Sequence, residues 1–195
     1  MKISINEIQI LRDRTGVGVV DAKSALEKSG GDIEAAIVAL RKAGKKVAEK
    51  KQSRQTREGT VGFYLHSNKK LLAAVAVACE TDFVARTEAF QELAHDLAMH
   101  VAAANPQFLN VESIPADLLE KEIEIARSQA EDEGKPAKII ENIINGKIAK
   151  FTEEHCLLKQ KYFKEDKKTV EQILEEAIQK LGENIQIKNF VRFTV

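Results

Sequence analysis

A chain of 195 residues with 44% hydrophobic content has room for one ordinary domain, or for a small domain joined to a larger one, and is too apolar for a disordered tail. Its 30 Lys/Arg and 30 Asp/Glu cancel to a formal net charge of zero, which argues against a general nucleic-acid or membrane-surface binder, since such proteins carry a basic excess. The balance hides an asymmetry: residues 1–58 hold 13 basic and 8 acidic side chains, net +5, leaving 17 and 22, net −5, for residues 59–195.

Two cysteines, Cys79 and Cys156, without a CxxC pair supply neither a disulfide framework nor a zinc site, as fits a reducing compartment. The N-terminus lacks an apolar run of signal-peptide length, and no stretch approaches 18 apolar residues, so a soluble, cytoplasmic chain is expected.

The first 44 residues read as three short helices. Ser4 can cap the first, in which Ile5, Ile8 and Leu11, with Ile10 beside them, fall roughly on one face. Thr15-Gly16-Val17-Gly18 breaks it, and residues 19–28 form a second helix ended at Ser29-Gly30-Gly31. Asp32 caps a third, with Ile33, Ala36, Ile37 and Leu40 inward and Gly44 as its expected stop. Residues 45–57 carry few apolar groups and read equally as a helical extension or a loose linker.

The body opens with strands. Val61, Phe63 and Leu65 alternate with Gly62, Tyr64 and His66, the period of a half-buried strand. A turn at residues 67–70 leads to LLAAVAVAC, apolar throughout and expected to be covered on both faces. Helices follow: one capped by Thr87 and stopped near Asn105-Pro106, one from Pro115 to about Gly134, one from Pro136 to about Leu158, bent at Gly146 if anywhere, and one over 169–181 closed by Gly182. The terminal IQIKNFVRFTV suggests a last strand joining the hairpin. The expected class is α+β: a helical head over 1–44, a basic linker over 45–58, and a core over 59–195 with a small antiparallel three-stranded sheet packed by helices.

Signals for catalysis are weak. His95 and His100 lie five apart and miss the i, i+4 face of a helical metal pair, while His66, His155 and both cysteines stand in neighbourhoods that announce no nucleophile. Gly16-Val17-Gly18 with Lys23-Ser24 faintly resembles a phosphate loop, but Ala22 replaces the glycine before the lysine and no strand precedes it; a helix-to-helix turn is the better reading. Between Arg41 and Arg57, eight Lys/Arg stand against the single acid Glu49, without aromatics for base stacking; a solvated face or a guide toward an acidic partner is preferred. Neither metal nor cofactor is expected.

Glu80-Thr81-Asp82-Phe83-Val84-Ala85-Arg86 differs, because it lies between an apolar strand and a helix, where loops present side chains on a rigid support. Two readings stand side by side: Phe83 as a wedge for a partner's pocket with Asp82 repelling phosphate or disturbing a metal ion, or Phe83 as core and Asp82 as a helix cap.

The motifs resemble the elongation factor Ts family. LRDRTGVGVVDAKSAL (residues 11–26) is similar to that family's N-terminal signature and CETDFVAR (residues 79–86) to its second, with further likeness in LAMHVAAANPQFL, DEGKP, KEDKKTVEQ and GENIQIKNFVRF, in the expected order over nearly the whole chain. The length resembles the short form, which implies a ubiquitin-associated-like three-helix head and one core module, without the second core subdomain or a coiled-coil insertion, and a homodimer by analogy.

The resemblance implies a non-enzymatic guanine-nucleotide exchange factor whose partner is elongation factor Tu. Thr81, Asp82, Phe83 and Val84 would enter near that partner's magnesium and phosphate site; Arg12, Thr15, Gly16, Val19 and Lys23 would grip it through the head. This chain departs from the family pattern at Lys69-Lys70-Leu71, at Ala76-Val77-Ala78 and at Lys161-Tyr162-Phe163. Val191 stands where some short members have a cysteine that can link a dimer, so that disulfide is not expected. Two competing readings are a ubiquitin-associated-type binding module on an unrelated body, and an enzyme dependent on His66 or Cys79.

Overall fold

The computed structural model describes residues 3–195. Three helices come first: α1 (Ile5–Thr15), α2 (Val19–Lys28) and α3 (Ile33–Lys51). Ser4 and Glu7 form a reciprocal capping box at α1, and the Asp32 carboxylate accepts the Ala35 N–H at α3. Leu11, Val17, Ala22, Ala25, Leu26, Ala36, Ile37 and Leu40 close the head's own core. Ile5 departs from the expected inward set: it stays 84% exposed, and only Leu11 and Ile8 of its face pack inward.

Gly44 does not end the third helix. It lies buried where α3 packs on α8 (Val170–Leu181), with the Gln179 side chain as its nearest neighbour. Helix α3 therefore runs on to Lys51, and half of the stretch that could have been linker is helix. Head and body also meet through charge. Lys168, buried, lies 2.9 Å from Glu165 and 2.8 Å from Glu176, and Arg41 of α3 approaches the same two carboxylates at 3.8 and 3.9 Å.

The body's sheet consists of β1 (Glu58–Leu65), β2 (Leu71–Cys79) and β5 (Gln186–Thr194), antiparallel in the order β1-β2-β5. The terminal segment thus joins the hairpin as its pattern suggested. Helix α5 (Glu88–Ala104), capped by Thr87, covers one face with Phe90, Leu93, Leu97 and Val101, against Ala73, Val75 and Val77. Helix α8 adds Val170, Leu174 and Ile178, and residues Ile185 and Ile187 complete this core.

Strand β1 turns its larger apolar side chains outward. Gly62 is its buried residue, while Val61, Phe63 and Leu65 point to solvent. The cause is close approach: a Cβ on Gly62 would stand 2.1 Å from the Ala94 carbonyl oxygen of α5, a space that glycine alone leaves open. The register sets Val61 beside Ala76, Phe63 beside Ala74 and Leu65 beside Leu72, and then Ala76, Ala74 and Leu72 beside Asn189, Val191 and Phe193. Across these three rows the outer face is apolar except at Asn189, with Gln186 and Lys188 at its end toward Ala78, and β2 is covered on one face rather than two.

Helices α6 (Ala116–Asp132) and α7 (Ala137–His155) pack on each other through Ala126, Ala130, Ile140 and Ile144, with α7 passing through Gly146 unbroken. They form a two-helix arm with a small core of its own. A short helix, α4 (Asp82–Ala85), and a two-stranded ribbon of β3 (Lys161–Tyr162) and β4 (Glu165–Thr169) complete the eight α-helices and five strands of the described residues, with two short 3-10 turns at Val111–Ser113 and Leu157–Lys159.

Candidate partner-contact site

The segment after β2 is a capped turn. Thr81 takes extended backbone angles and its hydroxyl accepts the Val84 N–H at 3.4 Å, so Thr81, and not Asp82, caps α4. Asp82 falls in the first turn, where a carboxylate is favoured, and its Oδ2 pairs with Arg86 at 2.9 Å. Val84 is half-buried against the main core and Ala85 is buried within it. Phe83, one position from these anchors, is 80% exposed. The structure thus places the ring outside the core and on a fixed support.

Glu183, in the turn between α8 and β5, holds this tip from beneath. Its Oε2 accepts the N–H groups of Glu80 and Thr81 at 3.0 Å each, and its Oε1 accepts the Thr81 hydroxyl at 2.6 Å. The sequence signal for this role was only a polar Glu-Asn pair after a helix-stopping glycine.

The head residues gather around the α1–α2 turn. Gly16 ends α1 in the left-handed region at φ 69°, donating its N–H to the Arg12 carbonyl, a conformation that side chains with a Cβ adopt at a cost. Arg12, Gly16, Val19 and Lys23 are exposed, with Lys23 3.8 Å from Glu27. Thr15 is half-buried and its hydroxyl donates to the Leu11 carbonyl at 2.6 Å. Val20, 80% exposed beside Val19, widens the apolar patch and escaped the sequence reading because nothing in its spacing distinguishes it from core. Val17 enters the head core, so Gly16-Val17-Gly18 is a helix-to-helix turn. The hydrogen bonds around the tip run to the end of α3, not to the α1–α2 turn.

The candidates for catalysis are held apart. Cys79 pairs with Glu58 at one end of the hairpin, while His66 lies beyond Leu65 and Leu72 at the other, about 26 Å away at the usual rise per strand residue. Burial, with Glu183 nearby, pushes the Cys79 thiol up, away from reactive thiolate. His100 is buried: its Nδ1 accepts the Phe163 N–H at 3.3 Å and its Nε2 meets the Gln160 amide oxygen at 3.0 Å, which fixes a neutral ring with the proton on Nε2. Burial accordingly lowers its pKa. Among the described residues no group of three or more His, Cys, Asp or Glu could hold a metal ion, and no helix is long and apolar enough to cross a membrane.

Comparison with known proteins adds to this geometry. The family profile described as "Elongation factor TS" matches residues 15–195. The chain is 52% identical over 193 residues to elongation factor Ts of Thermosipho melanesiensis, covering 99% of this chain and 98% of that one. It is 47% identical over 195 residues to elongation factor Ts of Fervidobacterium nodosum, covering 100% and 99%. It is 50% identical over 195 residues to that of Koribacter versatilis, covering 100% and 89%. These likenesses set the chain among the translation elongation factors, proteins of protein biosynthesis. The chain belongs to the elongation factor Ts family.

Proposed function

We propose that this chain is a guanine-nucleotide exchange factor, not an enzyme, that binds elongation factor Tu carrying GDP and promotes release of the nucleotide in the cytoplasm. The observation that carries the reading is Phe83: an aromatic ring 80% exposed on a capped, core-anchored turn, with Asp82 beside it. An exposed ring on a rigid base is a wedge waiting for a pocket, and its burial contributes up to about 2–3 kcal/mol. Asp82 adds a negative charge where the partner holds phosphate and magnesium, and so opposes the ground state of the nucleotide complex.

Exchange requires no bond breaking. It requires that factor and nucleotide each weaken the other on the shared partner, and linkage makes that antagonism equal in both directions. The demand is large, since nanomolar nucleotide binding is worth about 12 kcal/mol, so one ring is not sufficient. The exposed Arg12, Val19 and Lys23 at the α1–α2 turn supply the second hold, with Thr15 and Gly16 shaping the turn. Stopped-flow release of a fluorescent GDP analogue from elongation factor Tu tests this reading. Substoichiometric amounts are expected to accelerate release strongly. Binding without acceleration would instead favour a ubiquitin-associated-type binding module.

A second reading concerns self-association. Val61, Phe63 and Leu65, with Leu72, Val191 and Phe193, leave one sheet face apolar and exposed, with Phe63 at 64% and Phe193 at 61%. A second copy laid on that face makes a two-sheet sandwich with about 10 Å between layers, removing both apolar faces from water. In sedimentation velocity the chain is expected to run as a dimer, and Phe63→Lys with Phe193→Lys as a folded monomer. A wild-type monomer at tens of micromolar would remove this reading and leave the exchange reading intact.

A further inference from the structure

The junction beneath Phe83 is a clasp made from both sides. Glu183 reaches up to the Glu80 and Thr81 N–H groups and to the Thr81 hydroxyl, while the Glu80 carboxylate reaches back to the Asn184 N–H at 2.7 Å. Asn184, buried, extends the clasp to the head: its side-chain amide donates to the Arg54 carbonyl at 2.8 Å and the Gln52 carbonyl at 3.4 Å, just past the end of α3. Arg54 completes the loop with its guanidinium 3.4 Å from Glu80. The end of the head's long helix and the base of the tip are thus tied through two adjacent residues that lie more than a hundred positions further along the chain.

The chemistry makes Glu183 decisive for the tip. A hydroxyl has one proton to give, and Thr81 gives it to Glu183, which leaves an oxygen lone pair aimed at the Val84 N–H. The cap is therefore oriented by the carboxylate below it. Bonds to an ionised acceptor are shorter and stronger than neutral ones, and Glu183 makes three of them on one two-residue stretch. Without it, the Thr81 hydroxyl loses the group that orients it toward the Val84 N–H, a bond already long at 3.4 Å, while the backbone bonds of the turn and the packing of Val84 and Ala85 stay in place.

We propose that Glu183 is a positioning residue for exchange, fixing the direction in which Phe83 is presented, with Asn184 holding that direction relative to the head. The proposal rests on the wedge reading of the tip and adds the group that aims it. Glu183 touches no part of the partner's nucleotide; it acts through Thr81.

The test combines local amide exchange with release kinetics. In Glu183→Ala, the amides of Glu80 and Thr81 are expected to lose protection, while those of Ala73, Val75 and Val77 within β2 keep theirs. The maximal rate of GDP release from elongation factor Tu is expected to fall about tenfold, the equivalent of a lost charged hydrogen bond. The half-saturating concentration should hold within about twofold, because the head contacts are untouched. In a Phe83→Ala background the same substitution should add at most about twofold, since there is no ring left to aim. Glu183→Gln, which keeps one acceptor oxygen and the shape, should fall between and serves as the variant if alanine does not fold. Multiplying of the two losses in the double variant, or unchanged amide protection, overturns the proposal. A wild-type chain that fails to accelerate release overturns the exchange reading and this proposal together, whereas a wild type and Glu183→Ala that accelerate equally overturn the positioning role alone.

Discussion

Phe83→Ala is expected to retain the wild-type melting temperature and to accelerate GDP release from elongation factor Tu about tenfold to a hundredfold less well. The two halves of that result have separate causes. Phe83 is 80% exposed, so its ring contributes little to the folded chain, and surface truncations of this kind change stability by about half a kcal/mol or less. At an interface the same ring is the type of anchor whose removal costs about 2 kcal/mol or more, which sets the expected range in rate. The backbone of α4 does not depend on the ring, because Thr81, Glu183 and the buried Ala85 hold it. A variant that folds normally and accelerates release as well as the wild type would sink the wedge. A variant that melts early would instead show that the ring packs inward in solution.

The second large effect concerns stability. Gly62→Val is expected to lower the melting temperature by roughly ten degrees or more, although valine is the better strand former. The added Cβ alone would lie 2.1 Å from the Ala94 oxygen and 2.2 Å from its carbonyl carbon. Both are backbone atoms of α5, so no side chain can swing aside; the helix must move off the sheet that it covers. Overpacking of a tight core costs about 1–3 kcal/mol, and a backbone clash in the largest core of the molecule belongs at or above the upper end. For a domain of this size each kcal/mol lowers the midpoint by about 2–4 °C, which gives the expected shift. A melt within a degree or two of wild type in scanning calorimetry would mean that α5 and β1 are not in contact at this point.

How much of this was legible beforehand depends on whether the signal was local. Helix starts were readable because capping is local chemistry: Ser4, Asp32, Thr87 and Thr169 each accept an N–H three residues on. The β1–β2–β5 sheet followed from composition. Its facing did not. Alternation in β1 gives two sets, and the larger apolar set is normally inside, but the inner position is decided by how near α5 approaches, a tertiary fact carried by Gly62. Gly44 misled as well, since a glycine that ends a helix and one inside a helix packed on a neighbour look alike in sequence.

For the site, motif likeness supplied the residues from Thr81 to Val84, and spacing alone left Phe83 undecided between core and surface. The structure resolves that point by exposure. Glu183 and Asn184 were out of reach of any local argument, because their partners lie more than a hundred residues earlier. The β3–β4 ribbon went unread because Lys161–Tyr162 and Glu165–Thr169 are short and polar, without a period to detect.

The unbroken course of α3 through Gly44 has a consequence for avidity. Two contacts joined by a slack tether meet their second site at an effective concentration set by chain statistics, on the order of millimolar for a short flexible linker. Nineteen residues of continuous helix, about 28 Å long, are joined to the body by Arg41, which approaches Glu165 and Glu176, and by Asn184 just past the helix end, and so replace that search with a fixed geometry. The entropy of finding the second site is then spent once, during folding, and not at every encounter. On the exchange reading, such a molecule would meet its target with both contacts already set in place, without a separate search for the second.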